Sequence, residues 1–93
     1  MDQIYKQAIQ LQFKFRDYVD QPNIPAMVNL RNQIQALTDD IEMKKNKMSL
    51  EDRVKTIIQI LDNADGSGGM DDRHVDDLKD RSNDLRNEIR NLR

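Results

Sequence analysis

Residues 25–47 read PAMVNLRNQIQALTDDIEMKKNK, and this stretch decides the fold. Met27, Leu30, Ile34, Leu37 and Ile41 recur at alternating spacings of three and four. The row continues to Met48, with Lys44 in one apolar place. A stripe of that period is the buried face of an amphipathic helix. A strict seven-residue repeat also favours shallow, coiled-coil-like crossings with neighbouring helices. Pro25 suits a first helical turn, where its missing N–H is not needed. Lys44, Lys45 and Lys47 suit a last turn, where the helix dipole favours cations. The spacing therefore predicts a helix over about 25–47.

The same period extends to both sides. Ile4, Ala8, Leu11, Phe15 and Tyr18 step by four, three, four and three, which predicts a helix over about 2–20. Asp2 can cap its start, and Pro22 ends it. Leu50, Val54, Ile57, Ile58, Leu61 and Ala64 form the buried face of a third helix, about 50–64. Ser49 and Asp52 resemble a capping box at its start. Val75, Leu78, Ser82, Leu85, Ile89 and Leu92 give a fourth, about 71–93, with Asp71 as its cap. Four such helices joined by short connections imply an all-α, antiparallel four-helix bundle forming one domain, residues 1–93. On these boundaries the third helix is shorter than the second and fourth by about two turns. Something else must then cover Ile89 and Leu92 near the end of the fourth.

Composition narrows the function. A third of the residues are charged, yet the formal net charge is only -2. Nucleic-acid binders carry a larger basic excess, so nucleic acid is not the expected partner. The absence of cysteine excludes disulfides and thiolate chemistry. No apolar run is long enough to span a membrane, and no secretory leader is evident. The expectation is a cytoplasmic protein with no membrane partner.

No motif announces catalysis, and the expectation is a non-enzymatic chain without cofactor or bound metal. His74 is the single histidine and has no cysteine, second histidine or serine triad to work with. The loop Asn63–His74 resembles an EF-hand. Asn63, Asp65, Ser67, Gly68 and Asp71 take positions one, three, five, six and nine. His74 stands where the bidentate glutamate belongs, so a plain flexible turn is the simpler reading. Asp72, Asp76, Asp80 and Asp84 recur every four residues, and Asp39 with Glu42 forms a smaller acidic pair. Acid pairs on two helices resemble the magnesium sites of all-α nucleotide pyrophosphohydrolases. Here Asp76, Asp77, Asp80, Asp39 and Glu42 fall opposite their apolar stripes, so they are expected to face water. Ser82, a polar residue on a stripe, either fixes register or bonds to its own backbone.

The first helix remains. All four aromatic residues lie in it: Tyr5, Phe13, Phe15 and Tyr18. At about 100° per residue, Phe15 and Tyr18 join the core stripe, whereas Tyr5, Ile9 and Phe13 occupy an adjacent arc of about 80°. Either that second stripe packs on a neighbouring helix, or it docks a partner. The function expected is protein–protein interaction by helix-to-helix docking, as an adaptor and homo-oligomer. Tyr5, Ile9 and Phe13 are the candidate anchors, with Ile89 and Leu92 second. Two alternatives stay open. A small nucleic-acid-linked regulator requires Lys44, Lys45, Lys47, Arg53 and Lys55 to converge. A divalent-metal-responsive module requires ligands in the 63–74 loop.

Overall fold

Each stripe becomes the inner face of a helix. A computed structural model describes residues 2–64, 66 and 68–92. It contains α1 (Asp2–Tyr18), α2 (Pro25–Glu42), α3 (Lys47–Ala64) and α4 (Asp72–Arg90). Helix α1 touches α2 and α4, and α3 touches the same two, while the diagonal pairs stay apart. The result is an antiparallel four-helix bundle, 38 Å long and about 20 Å across. The start of α1 meets the end of α2, where the Tyr5 hydroxyl donates to Glu42. The end of α4 meets the start of α3, where Arg90 pairs with Glu51. This is the tip end, named for the α2–α3 turn; the other is the glycine-loop end.

The core is the sum of the four stripes. Ile4, Ala8, Leu11 and Phe15 of α1 are buried, as are Met27, Leu30, Ile34, Leu37 and Ile41 of α2. Helices α3 and α4 contribute Leu50, Val54, Ile57, Leu61 and Ala64, then Val75, Leu78, Leu85 and Ile89. Two polar residues join them. The Thr38 hydroxyl bonds back to the Ile34 carbonyl. Ser82 is fully buried, and its Oγ has no hydrogen-bond partner, so self-satisfaction through its own backbone does not occur.

The α2–α3 turn departs from the sequence expectation. Helix α2 stops at Glu42, five residues earlier than its stripe suggests. Lys44 takes a left-handed conformation at φ 56°. Its N–H then bonds the Ile41 carbonyl, and the Lys45 N–H bonds the Asp40 carbonyl. These two bonds form a Schellman closure, here without the glycine that usually supplies it. Asn46 rather than Ser49 caps α3: its Oδ1 accepts the Ser49 N–H at 2.9 Å. Helix α3 consequently starts at Lys47 and matches α2 at 18 residues, against 19 for α4. It is not the short helix expected, and it reaches the end of α4.

At the glycine-loop end, Val19 and Met70 form an isolated antiparallel bridge. The Gly69 carbonyl accepts the N–H groups of Asp20 and Gln21. Gly69 has φ +85°, and a Cβ there would lie 2.8 Å from Met27 Cγ. Both the conformation and the space therefore require glycine. Pro25 opens α2 and Asp71 caps α4 by accepting the Arg73 N–H, both as the sequence predicts.

Two substitutions test this account by thermal or urea unfolding. Lys44→Gly removes a left-handed strain of about 1–2 kcal/mol but adds unfolded-state entropy, so a net gain of about 0.5–1 kcal/mol is expected. Ser82→Ala removes a buried, unpartnered hydroxyl and is expected to stabilise by about 1 kcal/mol.

Candidate functional site

The second stripe of α1 divides in the structure. Tyr5 is half-buried against the core, with its hydroxyl 3.0 Å from Glu42 Oε1. That acceptor raises the Tyr5 pKa above its ordinary value. One turn-pair later, Gln12 donates to Gln35 at 2.6 Å. Residues 5 and 12 therefore lie along the seam with α2, and half-buried Ile9 stands next to it. Phe13 turns further outward and is 56% exposed, with the Arg16 guanidinium 5.9 Å from its ring centre. The bundle thus claims part of the stripe and leaves Phe13 in solvent.

The secondary anchors change more. Ile89 is fully buried, because the longer α3 covers this end of α4; it is a core residue and offers no surface. Leu92 is half-buried against the same core.

At the glycine-loop end a polar cluster closes the α1–α4 seam. Tyr18 stacks on His74 with ring centres 4.0 Å apart and planes 5° from parallel. The Tyr18 hydroxyl donates to Asp77 Oδ2 at 2.6 Å, and Arg81 Nε donates to the same oxygen at 2.9 Å. Asp77 is therefore half-buried and doubly bonded, not facing water as its position opposite the stripe suggested. The Tyr18 hydroxyl, then Arg81, hold its carboxyl below the usual range. Asp77 in turn raises the Tyr18 phenol above its usual value, with burial adding to the effect.

A groove of about 370 Å³ lies between α2 and α3, beside the tip. Asp40, Lys45, Ser49, Asp52, Arg53 and Thr56 line it. Arg53 is already engaged, 3.1 Å from Asp40 and 2.8 Å from Gln33. Lys45 and Arg53 thus share this groove, with Asp40 and Asp52 beside them. Lys44, Lys45 and Lys47 are exposed and form no ion pair among the described residues. Lys44 and Lys45 directly follow the end of α2, where the helix dipole favours cations, whereas Lys47 opens α3, where it does not.

Asp72, Asp76, Asp80 and Asp84 form an exposed row on α4, and Asp39 and Glu42 are exposed on α2. Among the described residues no three His, Cys, Asp or Glu side chains are grouped to hold a metal ion. Asp65 and Ser67 of the EF-hand-like loop lie outside the described residues, so its ligand set cannot be assembled from the others. No described helix is long and apolar enough to cross a membrane.

Sequence reasoning missed Asp77, Arg81 and Asn46 as structural side chains. Asn46 carried a signal, since asparagine is a preferred N-cap. The partners of Asp77 did not, because periodicity reports a face and not the reach of a tyrosine from another helix. Comparison with protein families, curated proteins and solved structures gives no match.

The Tyr18–Asp77 bond sets a pH dependence. Asp77 has a folded pKa below its unfolded value, so its contribution is present above about pH 4 and is lost as pH falls through the folded pKa. Tyr18 has a raised pKa, so its contribution is present below about pH 10 and is lost as pH rises further. Tyr18→Phe is expected to lower the melting temperature at neutral pH and to flatten both limbs of the melting-temperature profile. An unchanged acid limb would show that Asp77 gains nothing from the hydroxyl.

Proposed function

We propose that this chain is a non-enzymatic protein-interaction module, working in the cytoplasm, that docks through α1 and pairs there with a second copy of itself. One observation carries the reading: Phe13, a large aromatic side chain, is 56% exposed on the outer side of a helix whose core stripe is already satisfied. Aromatic rings and arginine are the residue types that most often anchor interfaces, and Arg16 stands over this ring. Ile9 lies one turn away and is half-buried, so an approaching helix would meet a short apolar row at i and i+4. Gln12 and Gln35, bonded to each other on the seam, supply a polar rim.

Two copies docked by their α1 helices repeat the same contact through a two-fold axis, the commonest closed arrangement. The contact is apolar and should survive high salt. Sedimentation equilibrium in about 1 M salt, where the screening length is about 3 Å, isolates it from charge effects. The expected mass is twice the 10.9 kDa of the chain. Phe13→Glu should return the protein to chain mass while changing stability by no more than about 0.5 kcal/mol. A wild-type protein that stays monomeric at high micromolar concentration, or a variant that unfolds, overturns the reading.

A further inference from the structure

We propose a second contact between copies of this chain, in which the lysine tip of one copy seats on the aspartate row of another. It is separate from the α1 face and stands or falls without it. The tip is Met43-Lys44-Lys45-Asn46-Lys47-Met48, six consecutive exposed residues containing no acid. Its three lysines have no ion-pair partner among the described residues, and Lys47 stands at the start of α3, where the helix dipole disfavours a cation. Met43 and Met48 bracket them at 66% and 73% exposure, the most exposed large apolar side chains of the described chain. Lys44 also holds a left-handed conformation that glycine would adopt more readily.

The complementary charge lies on the same molecule but out of its own reach. Asp72, Asp76, Asp80 and Asp84 follow one another along the exposed side of α4, turning about 40° at each step so that Asp84 reaches the α1 seam beside Gln7 and Gln10. Asp80 and Asp84 have no ion-pair partner among the described residues, and Asp76 is 4.0 Å from Lys79. The pairs Arg90–Glu51 and Lys79–Asp62 fix how α4 lies against α3. They place Asp76 roughly 25 Å, and Asp84 roughly 15 Å, along the axis from the tip at about 1.5 Å per residue. A lysine side chain cannot bridge that gap within one chain.

A second copy running antiparallel bridges it twice. The tip of each copy then lies beside the aspartate row of the other, and the two equivalent contacts close on a two-fold axis. Each contact neutralises a self-repelling row with a self-repelling tip. The two methionines enter with the lysines and add apolar area, which surface ion pairs by themselves lack.

The test uses the full chain carrying Phe13→Glu, so that α1 docking does not contribute. Sedimentation equilibrium is expected to give twice the chain mass in about 10 mM salt and chain mass in about 1 M salt, because screening length falls from about 30 Å to about 3 Å. Adding Lys44→Glu, Lys45→Glu and Lys47→Glu should give chain mass at both. Adding Asp76→Lys, Asp80→Lys and Asp84→Lys instead should do the same. All six together restore the original net charge and should restore the low-salt dimer. Thermal unfolding of each variant confirms that it is folded. Chain mass at low salt in the starting protein overturns the proposal, and this measurement needs no charge variant. A dimer indifferent to tip reversal overturns it as well. So does a monomer whose lysines instead bind vesicles of anionic phospholipid.

Discussion

Everything at the tip end depends on how abruptly α2 stops. The chain reverses over residues 43–46, with Lys44 left-handed and Asn46 already capping the next helix. This early stop gives α3 its full 18 residues. A full-length α3 covers Ile89 and brings Glu51 beside Arg90. The core therefore closes within one chain, and no second copy is needed to complete it. The same stop leaves Met43, Lys44 and Lys45 between the helices and Lys47 and Met48 at the exposed start of α3, all in solvent. One backbone event thus removes a reason for self-association at the end of α4 and exposes a charged surface nearby.

The stripes were legible in the sequence because burial follows period. The α2 residues from Met27 to Ile41 and the α4 residues from Val75 to Ile89 are buried where the spacing puts them, Ser82 included. Pro25 and Asp71 marked their helix starts for local chemical reasons. The α2–α3 turn was not legible, because Lys44 and Met48 continue the helical spacing past the real end. The hint was the lysine itself, a charged residue on an apolar stripe, next to an asparagine able to cap. Periodicity measures which face a residue occupies, but a Schellman closure is decided by one dihedral angle.

The α1 surface was legible only in part. The angular reading separated Tyr5, Ile9 and Phe13 from the core stripe, and the structure separates them again. Tyr5 and Ile9 sit near the α2 seam, where Glu42 and Gln35 supply polar partners. Phe13 lies past the seam. The difference arises from a drift of about 40° between residues four apart, which is small in a helical wheel but decides between a groove and open water. Asp77 shows the converse. Its angle points away from the stripe, yet Tyr18 is long enough to reach around the edge of α1 and bond it.

The two tyrosines have a practical consequence. The chain contains no tryptophan, so its near-ultraviolet signal comes from Tyr5 and Tyr18 alone among chromophores of that strength. Each donates to a carboxylate, Tyr5 to Glu42 at one end of the bundle and Tyr18 to Asp77 at the other. Every end of the rod therefore carries its own optical label without any dye. Replacing one tyrosine by phenylalanine leaves a probe that watches a single end, so fraying at the tip and opening at the glycine loop can be followed as separate events.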